Sequence, residues 1–276
     1  QMSAQFGGDQ YIAGQKEPVI DMPTRFVDFM RVLVPMAGDD TTPEGEQVNI
    51  YGNHVGSWNF AATAYLNQWK VKIYYEHYFD DHSQMFFQYG RWKDGHIGLE
   101  ITFPKNRFID TFVYEGLGTK DQTGPMLYDS FWGEFEEQIS AKDNYYNHYL
   151  YQGWQHWGMG IGNPLLPGPI YNKNGQITFI SNRVLAHHIG FCGSPCQSLS
   201  YRMLLSYSRH WGTYDNPLNE IKKQFNSLFE VTYAPQQLKG WSFTVSGAMD
   251  RGSMLGNNYG GMLVIRKQGI IKSGNK

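Results

Sequence analysis

The segment 199–211, LSYRMLLSYSRHW, decides how the rest of the chain is read. Leu199, Tyr201, Met203, Leu205 and Tyr207 alternate with Ser200, Arg202, Ser206, Ser208 and His210. A period of two puts the first set on one face of an extended strand and the second on the other. The pattern recurs along the chain. In 241–249, Trp241, Phe243, Val245 and Met249 oppose Ser242, Thr244 and Ser246. In 225–233, Phe225, Phe229, Val231 and Tyr233 oppose Asn226, Glu230 and Thr232. In 69–79, Trp69, Val71, Ile73 and Tyr75 oppose Lys70, Lys72 and Glu76. In 96–103, Ile97, Leu99, Ile101 and Phe103 oppose His96, Glu100 and Thr102. In 57–66, Trp58, Phe60, Ala62, Ala64 and Leu66 oppose Ser57, Asn59 and Thr63.

Less regular strands are expected in 108–115 and 177–191, a last one in 257–267 with Tyr259, Leu263 and Ile265 on one face, and a short first one in 2–6. The count is about ten, each near the length that crosses a bilayer when tilted. Tight turns (LNQWK, FPKNRF, FCGSPCQS, APQQLKG) alternate with long excursions over 7–53, 79–95, 116–174, 212–222 and 250–257. Short turns at one end and long loops at the other, with Trp69, Trp211, Tyr214, Tyr233 and Trp241 near strand ends, form the pattern of an outer-membrane barrel. The fold expected is all-β: a transmembrane antiparallel barrel, one domain over 1–276, with long extracellular loops. A soluble antiparallel sandwich or barrel also alternates, with its apolar face inward. The polar faces here carry Lys, Glu, Arg, Asn and His, as a wet lumen would.

Composition narrows the classes. Net charge is −2, which gives no basic excess for nucleic acid. Mean hydropathy is negative, at −0.49, and no run of 18 apolar residues marks a membrane helix. The opening QMSAQFGG shows no signal-peptide pattern and is expected to begin a mature or truncated product. Phe26, Phe29, Met30 and Leu33 follow helical spacing between Pro23 and Pro35, with Thr24 as the candidate N-cap. This short amphipathic helix is expected to pack over the barrel mouth.

The stretch 145–172, YYNHYLYQGWQHWGMGIGNPLLPGPIYN, lies in the longest excursion and holds no charged side chain. Flat rings stack on the apolar faces of sugars, and Trp N–H and Tyr O–H supply polar contacts. The glycan-binding candidates are Trp154, Trp157, His156, Tyr149, Tyr151, Gln155 and Tyr171, with Asn147 and Gln152 as further hydrogen-bonding side chains. The plainer reading is a lid whose aromatics pack on one another, and the two are compatible. Metal is disfavoured: His187 and His188 are strand neighbours pointing to opposite faces, and His148 and His156 stand alone. Carboxylates at Asp80, Asp81, Asp129, Glu134, Glu136 and Glu137 are candidates for calcium, or else a solvated surface. Lys70, Lys72, Glu76, Glu100, Arg202 and Glu230 either line a channel or form an internal ion-pair network, the latter being favoured with a lid above. Ser208 and His210 share one polar face, but no third group completes a nucleophilic site, so no catalysis is expected. Cys192 and Cys196 leave two alternatives, a small disulfide loop or two unpaired thiols.

The runs YLYQGWQHWGMGIGNPLLPGPIYN (149–172), ITFISNRVLAHHIGF (177–191), LSYRMLLSYSRHWGTYDNP (199–217) and GNNYGGMLVIRKQG (256–269) resemble the capsule assembly Wzi family, in the branch found in Bacteroides-type bacteria. The segment FGGDQYIAG and the helix-bearing first loop are similar as well. The resemblance covers most of the chain. It implies an integral outer-membrane barrel of a Gram-negative bacterium, of which this chain is the C-terminal part. It implies a lectin that attaches capsular polysaccharide to the cell, with neither enzyme activity nor cofactor. Capsular polysaccharide, outer-membrane lipids with lipopolysaccharide, and other outer-membrane proteins are the partners implied. A porin or substrate-specific channel is the alternative, and an outer-membrane hydrolase a more distant one. The ending GIIKSGNK departs from the terminal aromatic usual in such barrels.

Overall fold

The structure, a computed structural model, describes residues 1–12, 14–48, 50–80, 85, 94–106, 108–122 and 143–269. The chain begins with β1 (Met2–Gln5), a small hairpin β2 (Gly8–Gln10) and β3 (Ile20–Met22), then helices α1 (Phe26–Leu33) and α2 (Glu44–Val48). Four long strands follow: β4 (Asn53–Leu66), β5 (Trp69–Phe79), β6 (Gly95–Thr102) and β7 (Thr111–Gly118). A miniature hairpin, β8 (Gln155–His156) with β9 (Met159–Gly160), precedes a 3-10 turn at Pro169–Tyr171. The chain returns to long strands in β10 (Val184–Cys196), β11 (Leu199–Gly212), β12 (Pro217–Tyr233), β13 (Trp241–Gly252) and β14 (Asn258–Lys267).

Ten of these strands form one antiparallel sheet in the order β1-β4-β5-β6-β7-β10-β11-β12-β13-β14. Each pairs with the next along the chain once the excursions are set aside. The all-β architecture follows from the alternation, and the register carries it across the sheet. Ala62 pairs with Ile73, Ile73 with Leu99 and Leu99 with Tyr114. Tyr114 faces Ile189, Ile189 faces Leu205, and the row continues through Ser227, Met249 and Tyr259. The polar positions align likewise: Cys192, Arg202, Glu230 and Ser246 form one row and His188, Ser206, Asn226 and Asp250 another. A slip of one residue in any ladder would mix the faces, so one-sided burial enforces the register.

The apolar face points outward and is uncovered: Phe60, Ile73, Val245, Leu263 and Ile265 are all exposed. A sandwich buries that face against a second sheet. The only other sheets among the described residues are the two-stranded β2–β3 and β8–β9. β1 and β14 are the sheet's edges, and no ladder joins them among the described residues. Aromatic groups mark both strand ends. Trp69 lies 5.0 Å from Phe103, and Trp241 stacks on Phe243, at the short-turn end. At the other end the Lys120 ammonium sits 4.8 Å from the Trp211 ring and the Arg183 guanidinium 3.8 Å from Tyr214.

Several boundaries differ from the sequence reading. The strand expected over 177–191 begins only at Val184, because 143–182 packs as a cap. The excursion expected over 212–222 contracts to 213–216, since β12 already starts at Pro217. β10 runs through Cys196, so the turn there is only Gln197 and Ser198. Of the two alternatives for the cysteines, the structure has the unpaired thiols. Four residues of strand separate alpha carbons by roughly 13 Å, about twice what a disulfide tolerates.

Helix α1 forms where expected but turns the other way. Arg25, not Thr24, occupies the N-cap position, and its backbone N–H donates to the Asp28 carboxylate at 2.9 Å. Asp28 and Val32 are the buried side, whereas Phe26 is 77% exposed and Phe29, Met30 and Leu33 are exposed too. The reason is charge. The buried Asp28 is held by Arg25 and Arg31 at 2.8 and 3.0 Å, and these pairs fix the helix's inner side.

The core lies under the cap. Trp154, Leu166 and Phe179 from the cap pack with Leu117, Val184 and Ala186, which stand on the sheet's polar-face rows. A second cluster joins Met22, Val32 and Tyr51 to Leu150 and Tyr151, tying the helical loop to the cap.

Candidate functional site

Two features of the cap can meet a ligand: the tip of the β8–β9 hairpin and the cavity beneath. At the tip, His156 pairs with Met159, leaving Trp157 and Gly158 as the two-residue loop. Their φ angles are +53° and +79°. Two successive positive φ values are the type I′ hairpin pattern, which favours Asn-Gly. Trp at the first position holds a left-handed conformation that bulky residues rarely adopt, at a cost of roughly 1 kcal/mol or more. That strained residue is 82% exposed, the most exposed large hydrophobic side chain among the described residues. The turn is fixed from below: Gln155 Oε1 accepts the Gly158 N–H at 2.7 Å, and the Gly158 carbonyl accepts the Ile170 N–H at 2.8 Å. Ile170 and Tyr171 are exposed beside it.

The other expected glycan contacts divide. Trp154 is only 8% exposed and belongs to the core, so it cannot serve as an outer platform. Its Nε1 has no hydrogen-bond partner among the described residues. His156 is exposed next to Trp157, edge-on at 6.1 Å. Tyr149 is exposed, and its hydroxyl donates to Glu46 Oε1 at 3.2 Å. Tyr151 is half-buried in the second cluster. The amides expected to meet sugar hydroxyls instead hold the cap's own backbone. Asn147 brackets Phe179 through its N–H (2.8 Å) and carbonyl (2.9 Å), and Gln152 donates to the His148 carbonyl at 3.2 Å.

Buried polar groups brace the cap. Asp94, 1% exposed, accepts from the Asp121 N–H at 2.9 Å, the Tyr145 hydroxyl at 3.0 Å and the Gln122 N–H. Burial outweighs these donors and pushes its carboxyl up to about 6. Glu46 accepts the Gly52 N–H at 2.6 Å, and burial raises it too. His148 Nδ1 accepts the Leu150 N–H at 3.1 Å, so Nε2 carries the proton and faces Glu46 Oε1 at 3.5 Å. Burial, rather than that carboxylate, governs the imidazole and lowers it to about 4.

Between cap and sheet lies a cavity of about 560 Å³. Its roof is Tyr145, Tyr146, Leu165 and Leu166 from the cap, and its floor is Glu76, His96, Glu115, His188 and Ser206. The register assembles the floor: Glu76 pairs with His96, and Glu115 with His188, which pairs with Ser206. His96 stands between the two carboxylates, 3.8 Å from Glu76 and 3.5 Å from Glu115. Ser57 donates to Glu76 at 2.6 Å. Tyr74 reaches Glu115 by lying across Gly98, where any β-carbon would fall 2.0 Å from the Tyr74 ring. His188 Nδ1 bonds Ser206 Oγ at 2.6 Å. Glu76 and His96 were legible as polar-face residues; Glu115 and Tyr74 were not, and the four meet only through cross-strand pairing.

The remaining polar-face candidates lie lower. Lys70 and Glu100 pair at 3.5 Å and Arg202 and Glu230 at 2.9 Å, while Lys72 sits 5.2 Å from the Tyr74 ring. The Lys70–Glu100 and Arg202–Glu230 pairs are separate, whereas Lys72 connects through Tyr74 and Glu115 to His96 and Glu76. Ser208 Oγ and His210 Nε2 are 2.8 Å apart, but both residues are sealed from solvent and His210 Nδ1 has no partner among the described residues. His187 points outward to Tyr114 and His188 inward, as strand neighbours must. No group of His, Cys, Asp and Glu among the described residues is placed to hold a metal. Asp81, Asp129, Glu134, Glu136 and Glu137 lie outside the described residues.

No protein-family model, curated relative or solved structure matches this chain.

Proposed function

We propose that this chain is part of an outer-membrane β-barrel of the capsule assembly Wzi type, which holds capsular polysaccharide at the cell surface without chemical conversion. The observation that carries the glycan reading is the Trp157 turn: an exposed indole in a strained, braced hairpin. Strain at an exposed aromatic has no packing purpose, and a flat, pre-positioned ring suits the apolar face of a sugar. Exposed His156, edge-on to the indole, sets a hydrogen-bonding edge beside the ring, and Tyr171 is exposed as well. The membrane reading rests on the outward apolar rows between two aromatic belts, an arrangement that lipid would satisfy and water would not. In this reading the cap crosses the upper polar face as a lid rather than leaving a channel.

Trp157→Gly tests the platform. Glycine removes the ring and relieves the left-handed strain, so thermal stability should rise by about 1 kcal/mol. Capsule capture by correctly inserted protein should weaken by roughly 2 kcal/mol, about thirtyfold, as for a central aromatic anchor. Unchanged capture would remove the platform role. Large, persistent conductance of the reconstituted protein in planar bilayers would overturn the lectin reading in favour of a channel.

A further inference from the structure

We propose that the cavity under the cap is a second saccharide site, distinct from the Trp157 platform, that takes one or two rings of a neutral or amino sugar and rejects anionic ones. The proposal rests on the glycan reading for the choice of sugar; its selectivity comes from the cavity itself.

The cavity's volume of about 560 Å³ lies within the roughly 300–1,000 Å³ typical of small-molecule sites. Its two sides differ in kind. The roof offers the rings of Tyr145 and Tyr146 and the side chains of Leu165 and Leu166. The floor offers two carboxylates, two imidazoles and a hydroxyl. A pyranose has that same division, with C–H faces that pack on rings and a rim of hydroxyls. The carboxylates are positioned in advance, Glu76 by Ser57 and Glu115 by Tyr74, so a ligand need not order them. Carboxylates accept hydrogen bonds from hydroxyl or ammonium groups and repel other anions. Among the described residues neither Lys nor Arg lines the cavity to offset them, and the imidazole closest to both is already shared between them. A uronic acid would bring a third carboxylate into this enclosure.

The test is calorimetric titration of the full chain in detergent micelles with glucose, glucosamine and glucuronate. Glucose and glucosamine should bind with a Kd below about 10 mM, and glucuronate at least about tenfold more weakly. Glu115→Gln, which keeps an acceptor for Tyr74 but removes the charge, should reduce the preference against glucuronate at least about tenfold. Leu165→Trp, which fills the roof, should abolish binding of all three. These titrations are run in the Trp157→Gly background, where the platform proposed above is removed and only the cavity is read, so failure here and failure of the platform are told apart. Absence of glucose and glucosamine binding, equal binding of glucuronate by the unaltered cavity, or wild-type binding by Leu165→Trp would each overturn the proposal.

Discussion

The two halves of the sheet's polar face are built from one strand set yet hold different chemistry. In the upper half, Ser57, Ser208 and His210 are buried, with Gln224 covered by the 255–256 turn, and on that half the bonds are between neutral groups or to the few carboxylates of the cavity floor. Six residues down β11, roughly 20 Å along the strand, Arg202 meets Glu230 with its side chain 52% exposed. The difference teaches that the cap, not the strands, decides which side chains the face can carry. Where the cap excludes water, an unpaired Lys or Arg would be costly to hold, and hydroxyls, amides and imidazoles that satisfy one another take its place. Where solvent reaches the face, long charged side chains stand at little expense.

Loosening the cap should remove most of the difference between the two halves. Phe179 is 2% exposed and packs between Trp154 and Tyr146. Phe179→Ala should cost the cap's docking about 3–5 kcal/mol, the usual range for a buried aromatic truncated to Ala. Hydrogen exchange should quicken across 143–182 and at Ser208 and His210, while the lower half of β10 to β14 keeps its protection. Equal loss of protection in both halves would show that cap and sheet unfold as one unit and that the two-zone description is wrong.

The cap's buried titrating groups sharpen the same contrast. Asp94 is raised in the fold from its ordinary 3.8 to about 6. Its contribution is therefore fully present below pH 4 and is lost as pH rises to 6, by about 3 kcal/mol at most. His148 is lowered from 6.5 to about 4. Its contribution is present above pH 6.5 and is lost as pH falls to 4, again by about 3 kcal/mol at most. Asp94, with Glu46 raised in the same direction, opposes His148 between pH 4 and 6, so the unaltered cap should depend on pH less steeply there than His148→Gln does. Asp94→Asn should leave a cap that loosens on acidification, and His148→Gln one that tightens, both read by limited proteolysis within 143–182. The same slope in both variants would exclude this assignment.

Much of the sheet was legible because period two survives any loop insertion: the faces of 57–66, 69–79 and 199–211 follow from alternation alone. The number of strands was legible for the same reason. Strand ends were less so, since Gly212 and Pro217 read as loop while the ladders carry β11 and β12 to those residues. The orientation of α1 was misread because Phe26, Phe29 and Met30 outweigh Asp28 in any hydrophobic count, whereas Arg25 and Arg31 pin Asp28 inward. The aromatic loop was legible as lid or platform, but not which tryptophan does which. Trp154 and Trp157 are three residues apart with the same side chain; the positive φ at Trp157 and Gly158 turns one outward and leaves the other in the core. His96 was legible as a polar-face residue, but its grouping with Glu76 and Glu115 was hidden because it is assembled across three strands.

The smallest effect is expected in the uncapped zone, and it bears most directly on why charge is tolerated there. Arg202 donates to Glu230 through two nitrogens at 2.9 Å, and Ser246 also donates to Glu230 at 3.2 Å. The geometry is that of a good ion pair, but half of the Arg202 side chain is open to water. Solvent competes for both charges, so the Coulomb gain and the cost of fixing a long side chain nearly cancel. Arg202→Ala should therefore lower stability by no more than about 0.5–1 kcal/mol, and 0.5 M salt should shrink even that difference. Losses of about 3 kcal/mol or more would mean that Glu230 had been left charged in a water-poor enclosure. The lower half of the face would then be sealed like the upper, and the distinction between the two halves would fail.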